Sequence, residues 1–417
     1  MGTLGWRGAM RGTRDPLDNE PFDIAHVSEV FAPGQGGIET ALQTLIAALP
    51  EFRTLVLTVP HPGQPRTSWF LPHCRVERIP PTFVGLAEAI TRVLPADARS
   101  SARLAVHLTA FLERERRRRR RTRTAKDIKL VHLHSLSQWT RLASLEKRRT
   151  GLPMHGILRW LGDFGTYGRP VVFTDHSLFG GPEEQFEATY GPELVRRLRR
   201  IVCVEESGVR NVRRFIEDEG LDIDLRRIPN PIDTAQFRPM PLPPMDRLIV
   251  GYAGRAAKTG LDLVVGLARI APSWLQIQTA LAVPGWSERP SLPPGVDARW
   301  NLPPWEMAGF YGSVHVTLDP YTFGLPRTTL EALACGRPVV RIRENDTDPL
   351  PDRASPVVRG REPEEVLHVL KLLHAEPQLL EESAWAARTY AVETHSVEHV
   401  ASAYRSLYAA AMESPRP

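Results

Sequence analysis

The 417-residue chain is 42% hydrophobic and 24% charged, with a formal net charge of +5. Its length suggests two or three domains, each able to bury a core, and its composition excludes a chain disordered throughout. No apolar run approaches the ~18 residues that span a bilayer, the N-terminus does not read as a secretory leader, and three scattered cysteines (Cys74, Cys203, Cys335) have neither disulfide nor zinc spacing, which points to a reducing cytoplasm.

Strand-like apolar runs alternate with helical patterns along the chain. FDIAHVSEVFAP (22–33) precedes a helical pattern over 38–49, with Gly36 and Gly37 at the turn between them. TLVLTV (54–59), KLVHLHS (129–135), PVVFTDH (170–176), RIVCVEES (200–207) and LRRIPN (225–230) follow, each pair separated by enough residues for a crossover helix. Such alternation predicts a parallel sheet with helices on both faces. Residues 113–124, ERERRRRRRTRT, carry eight arginines against two glutamates, and without them the chain is close to neutral. The helical spacing of apolar residues before this run predicts a helix with a basic end, suited to anionic lipid headgroups or a phosphate-bearing acceptor through Arg116–Arg121, or a solvated insertion. Nucleic-acid binding is disfavoured, because no aromatic interleaving accompanies the run.

Residues 233–246 hold four prolines in fourteen positions and read as a stiff linker. The alternation then restarts with RLIVGYAGR (247–255), a helix over 260–270, LQIQTALAV (275–283), VHVTLDP (314–320), a helix near 327–335 and PVVRI (338–342), with amphipathic helices over 362–374 and 377–413. The expected fold is α/β, with two doubly wound Rossmann-like domains facing a cleft. The expected domains are 22–235 and 246–376, followed by helices over 377–413. Open α/β sheets bind ligands at the C-terminal ends of their strands, so the cleft is the expected site.

The chemistry concentrates in the second half. After the strand RLIVGYAG comes the turn Gly254-Arg255-Ala256-Ala257-Lys258-Thr259-Gly260 and then a helix, a place where backbone amides and a helix N-terminus can hold an anion. Arg255 offers a planar fork for phosphate oxygens and Lys258 a point charge, and only five of the 53 basic residues are lysine. A second strand runs into the turn Gly324-Leu325-Pro326, where Thr328 and Thr329 can cap the following helix. One turn inside it, Glu331 can accept two sugar hydroxyls, or can simply answer the helix dipole. His132 and His134 share one strand face; a metal site would need further ligands and none is evident, so they read as sheet packing. Asp346-Thr347-Asp348 reads as a turn rather than a metal-binding pair. His176, after VVFTD, either caps a core or faces the cleft.

On these residues the chain resembles the GT-B nucleotide-sugar glycosyltransferases of the family 4 type. GGIET, VVFTDHSLFG, IPNPIDTAQFRP, GYAGRAAKTGLDLV and EALACGRPVV are similar to that family's phrases, in order, over roughly residues 22–413. VVFTDHSLFG is also close to a phrase of the N-acetylglucosaminyl-phosphatidylinositol synthase branch. The resemblance implies a metal-independent, retaining hexosyl- or N-acetylhexosaminyl-transferase without a cofactor, using a UDP- or GDP-sugar and a hydroxyl acceptor on a glycan, lipid or small metabolite. It implies that 22–235 binds the acceptor, that 246–376 binds the donor and that the helices over 377–413 cross back to the first domain. It also implies that Arg255 and Lys258 neutralise the departing diphosphate, that Glu331 holds the ribose, and that His176 stands near the anomeric centre. Gly36, Gly37, Gly254, Phe323, Gly324, Leu325, Thr328 and Thr329 would complete the donor site. Glu331→Ala would then weaken nucleotide binding with little effect on folding. The sequence departs from the family twice. Phe323 stands where the first acid of a glutamate pair is usual, an acid that contacts the donor sugar, and Lys258 follows Arg255 by three positions rather than five. Two other readings are a non-catalytic nucleotide-sugar-binding or partner protein, motivated by Phe323, and a sugar-nucleotide epimerase.

Overall fold

The computed structural model describes residues 22–28, 31–33, 36–58, 61, 63–78, 128–134, 169–176, 186, 195–196, 198–256, 260–283, 288–320, 324–342, 350–351, 353–358 and 362–413. The arginine run, Lys258, Phe323 and the Asp346-Thr347-Asp348 turn lie outside these residues.

Two separate sheets form, both of Rossmann type. The first holds β1 (Ile24–Val27), β2 (Thr54–Thr58), β3 (Thr67–Leu71), β4 (Cys74–Arg78), β5 (Leu130–His134), β6 (Val171–Asp175), β7 (Arg200–Cys203) and β8 (Asp224–Arg227). Its order is β3-β4-β2-β1-β5-β6-β7-β8, every pairing being parallel except β3 with β4. The central strands are buried on both faces, which is why they read as continuous apolar runs. β3 is a half-exposed edge and β4 alternates buried with half-buried residues, so a search for apolar runs passes over both. Helix α1 (Gly37–Ala47) follows β1, and α2 (Glu206–Glu219) follows β7. The run over 200–207 thus ends early as a strand, because its last two residues already open α2.

The second sheet is wholly parallel. Its strands β9 (Leu248–Arg255), β10 (Leu275–Ala282), β11 (Val296–Trp300), β12 (Val316–Asp319), β13 (Val339–Ile342) and β14 (Val357–Val358) lie in the order β11-β10-β9-β12-β13-β14. Helices α3 (Leu261–Ile270), α4 (Met307–Gly312), α5 (Arg327–Ala334) and α6 (Pro363–Ala375) accompany it. In each sheet the strand order reverses direction once near the middle, between β1 and β5 and between β9 and β12. Those switch points open a crevice at the strand C-termini.

The periodic stretch over 377–413 is two helices, α7 (Pro377–His395) and α8 (Val397–Glu413), broken at Ser396 by extended backbone at ψ 146°. They serve different sheets. Leu380, Ala387 and Ala391 of α7 join the apolar clusters of the second sheet, whereas Val400, Tyr404, Leu407 and Tyr408 of α8 pack with Ile24, Leu130, Val172 and Val202 of the first. At the crossing point the Ile232 amide donates to the His395 carbonyl (2.8 Å), and the His395 ring meets the Asn230 carbonyl at 3.0 Å.

Two arginines, Arg337 buried and Arg388 half-buried, fix the proline-rich connection. Arg337, 1% exposed, donates to the carbonyls of Tyr311 (2.8 Å), Met240 (2.9 Å), Pro241 (3.2 Å) and Gly312 (3.3 Å). Arg388 does the same for Phe237, Thr234 and Ala334. Proline supplies no amide for a ladder, so side-chain donors satisfy the carbonyls that regular structure leaves over. Arg337→Met is expected to lower the unfolding free energy by about 3 kcal/mol, because several buried carbonyls lose their donor at once. A urea titration measures this, and Arg337→Lys should not restore it, since an ammonium cannot span the same fork.

Candidate active site between the two sheets

A cavity of about 940 Å³ lies where the strand ends of the two sheets meet. The first sheet contributes Gly36, Gly37, Glu39 and Phe70; the second contributes Gly254, Arg255, Leu302, Thr328 and Glu331. Gly36 is the N-cap of α1, and the Glu39 carboxylate folds back over it: a Cβ added to Gly36 would lie 2.2 Å from Glu39 Oε2. The neighbouring Gly37 is exposed, and a Cβ there would meet nothing. At 36 the Glu39 carboxylate covers the backbone, whereas at 37 the backbone is open. An anion reaching the amides of α1 displaces Glu39.

On the opposite wall, Gly254 and Arg255 close β9 in register with Leu281 and Ala282 of β10. Arg255 is exposed to the cavity. Gly260, at φ +123°, caps α3, and a Cβ on it would strike Pro320 Cγ at 2.3 Å. Only glycine fits at this φ where the start of α3 lies against Pro320, the residue that follows β12.

The cap at α5 is not the expected one. Pro326 is the N-cap and no side chain caps the helix; Thr328 and Thr329 both sit inside its first turn, where the Thr329 amide bonds the Pro326 carbonyl at 3.0 Å. A proline ahead of the helix fixes the entry φ and leaves the threonines helical, so their hydroxyls are not cap acceptors.

Glu331 is 7% exposed and lines the cavity. Its Oε1 accepts from Arg327 Nε at 2.9 Å, and Oε2 accepts from the Tyr311 hydroxyl at 3.1 Å. Burial raises its carboxyl pKa, opposed by Arg327 and by the bond from Tyr311, and burial likewise pushes the Tyr311 phenol well up. The carboxylate is thus oriented before any ligand arrives. Sequence reasoning missed both partners: Tyr311 lies twenty positions earlier on α4, and Arg327 looks like an ordinary helix-N-terminal residue.

His176 stands at the end of β6, outside the wall of the cavity described above. Its Nε2 lies 3.2 Å from His134 Nδ1, and His134 Nε2 lies 2.9 Å from His26 Nδ1. Parallel pairing puts His26 directly beside His132, whose ring bonds the hydroxyls of Tyr408 and Thr174, each at 2.7 Å. The reading that His132 and His134 lack further ligand-type neighbours is therefore corrected. Nitrogens of His26, His132 and His134 lie within 4.8 Å of one another, close enough to face a common ion, and the strand pairing that creates this is invisible across a hundred residues. Burial first of all lowers each ring pKa, His26 to about 3, His176 to about 4, and His132 and His134 well below the ordinary value, so all four are neutral at pH 7. Gly324 and Leu325 lie in the loop before α5, with Gly324 buried, and neither borders the cavity.

Two Rossmann-like sheets that meet at a cavity on their strand ends define the GT-B class. Residues 35–236 match the model described as Glycosyltransferase Family 4, and residues 265–406 match the one described as Glycosyl transferase-like. The chain belongs to the family 4-type glycosyltransferases of GT-B fold. No curated protein matches the sequence. Among solved structures it is similar to sucrose-phosphate synthase from Thermosynechococcus elongatus, with TM-score 0.65, 17% identity, and coverage of 94% of this chain and 100% of the other. It is similar also to HepE from Anabaena in complex with UDP and glucose (TM-score 0.61, 13% identity, 93% and 99% covered). A third is the catalytic domain of starch synthase IV from Arabidopsis thaliana bound to ADP and acarbose (TM-score 0.61, 13% identity, 95% and 100% covered). Among the described residues no helix is long and apolar enough to cross a membrane.

Proposed function

We propose that this glycosyltransferase moves a sugar from a nucleoside diphosphate sugar, with UDP or GDP as carrier, to a hydroxyl of a glycan, lipid or small metabolite, retaining anomeric configuration. The observation that carries this reading is the single cavity that sets Arg255 and the α5 N-terminus opposite the open Gly36–Gly37 backbone, with an oriented Glu331 at its side. Arg255, with Lys258 beside it in sequence, neutralises the diphosphate as it leaves. The helix N-termini add fixed partial positive charge, and Glu331 accepts the two ribose hydroxyls. In the transfer the C1–O bond to the diphosphate breaks with its electron pair, the acceptor oxygen bonds C1, and the acceptor proton passes to the diphosphate. The relatives bound to UDP with glucose and to ADP support a nucleotide carrier.

A thermal-shift screen against UDP, GDP, ADP and their sugar derivatives tests the reading; no stabilisation by any of them refutes it. Glu331 gives a sharper test, but not by alanine. That change would strand the buried Tyr311 hydroxyl and so cost folding stability as well as binding. Glu331→Gln keeps the shape and is expected to weaken nucleotide binding about 10-fold with a near-native melting temperature. Calorimetric titration with the nucleotide found in the screen measures it, and an unchanged affinity removes Glu331 from the ribose role.

A further inference from the structure

The cavity wall contributed by the first sheet differs in chemistry from the one opposite. It is largely one face of α1, where Gly37, Thr40, Thr44 and Ala47 recur at helical spacing with Gln43 beside them. Thr40, Gln43 and Thr44 are half-buried, and the small residues at either end leave a shelf. Both threonine hydroxyls spend their proton inside the helix: Thr40 Oγ1 donates to the Gly36 carbonyl at 2.8 Å, and Thr44 Oγ1 to the Thr40 carbonyl at 2.7 Å. Each hydroxyl oxygen is left able to accept but not to donate. Phe70 of β3 lies alongside. It packs against the cluster that holds Leu42 and Ile46 of α1, and its ring meets Phe31 edge-on at 5.2 Å. The charges near this wall are acids: Glu39 lies over the Gly36 backbone, and Asp233 of the connection accepts from the amides of Ala235 and Gln236. Among the described residues that line the cavity, the cations, Arg255 and Arg327, both belong to the second sheet.

We propose that the acceptor received on this wall is an uncharged sugar ring rather than a phosphate-bearing molecule, held by Thr40, Gln43, Thr44 and Phe70. The proposal rests on the nucleotide-sugar reading above and names the class of the second substrate. A sugar carries hydroxyl donors around its edge and C–H groups on its faces. Thr40 and Thr44 stand one helical turn apart, with roughly 5–6 Å between their β-carbons, a span that suits two hydroxyls of one ring. The Gln43 amide both donates and accepts, so it fits a hydroxyl in either sense, and the Phe70 ring covers a C–H face. A phosphate on the acceptor meets the opposite conditions. It presents almost only acceptors, which the threonine oxygens cannot bond, and the carboxylates of Glu39 and Asp233 repel it. Arg255 cannot answer it, because the donor diphosphate already engages that side chain.

Paired acceptors test this. Glucose and glucose 6-phosphate, fructose and fructose 6-phosphate, and inositol and inositol 1-phosphate are each offered with UDP-glucose, UDP-N-acetylglucosamine, GDP-mannose or ADP-glucose. Phosphatidylinositol vesicles are offered in parallel, and donor binding, donor hydrolysis and transfer are all followed. At least one neutral acceptor is expected to be used, with kcat/KM about 10-fold or more above that of its phosphorylated partner. Phe70→Ala should raise the KM for that acceptor about 10-fold and leave nucleotide affinity within about 2-fold of wild type. Gln43→Arg places a cation on the shelf and should raise kcat/KM for the phosphorylated partner about 10-fold, a reversal that a merely structural Gln43 would not produce. The assignment is overturned if wild type prefers a phosphorylated acceptor or the vesicle lipid, or if it binds and hydrolyses a donor yet transfers to none of the neutral acceptors. It is overturned also if Phe70→Ala and Gln43→Arg both leave the acceptor kinetics within about 2-fold of wild type. A wild type that binds none of the donors refutes the donor reading itself, and the absence of nucleotide binding marks that result apart from the others.

Discussion

Lowering the pH from 7 to 5 is expected to destabilise the first sheet by several kcal/mol, about 2 from each of His26 and His176. His26 and His176 have ring pKa values lowered to about 3 and about 4, and those of His132 and His134 lie well below the usual value, in each case chiefly through burial. In the unfolded chain the same rings titrate near 6.5, so between that pH and their folded values the unfolded state binds protons that the native state refuses. Stability is therefore complete above about pH 6.5 and falls as the pH drops, by up to about 1.4 kcal/mol per pH unit for each ring. At pH 5 the His26 and His176 imidazoles have each cost about 2 kcal/mol, a sizeable share of the stability of an ordinary domain, and His132 and His134 act in the same direction. His395, lowered to about 4 at the crossing of the two connections, adds to the trend. Urea midpoints measured from pH 7.5 to 4.5 should drop steeply below pH 6.5. His26→Asn should reduce the slope by about one proton. A midpoint constant between pH 7 and 5 would show that the four rings are not buried as neutral groups.

Reversing the charge at Arg255 is expected to abolish nucleotide-induced thermal stabilisation and to lower transfer about 1000-fold. Arg255 projects into the cavity from the end of β9, where a diphosphate would meet it together with the amides of α5. Removing one preorganised donor to a developing anion costs about 100- to 1000-fold in other enzymes, and a glutamate at the same place adds repulsion. Arg255→Lys should retain part of the effect, as the charge survives without the planar fork. Because the side chain is exposed, neither change should alter the melting temperature of the unliganded protein by more than about 1 °C. A thermal shift that survives Arg255→Glu would place the phosphates elsewhere.

Legibility in the sequence followed the range of the interaction. The strands from β5 to β10 were readable as apolar runs, and so were α1, α3, α5 and α6, since each is set by its own burial pattern. Gly36, Gly254 and Gly260 were legible as turn residues for the same local reason. The sequence did not show β3, β4, β11, α4 or β14, which are edge, short or polar elements, nor the break at Ser396, where both flanking segments keep a helical pattern. Capping at α5 was misassigned because a proline at 326 overrides the threonines that follow. Glu331 could be singled out as an acid one turn inside its helix, and it lines the cavity, but its orientation by Tyr311 and Arg327 was not visible.

The sequence by itself determined the two α/β halves and their proline-rich connection, because periodicity, glycine and proline act over a few residues. Tertiary structure alone decided which distant residues meet. Parallel pairing aligned His26 with His132 and brought His134 to His176, and the meeting of the two sheets laid Glu205 against Gly324. Contacts of that kind depend on strand order and on the approach of two independently folded sheets, and no local pattern in the chain encodes either.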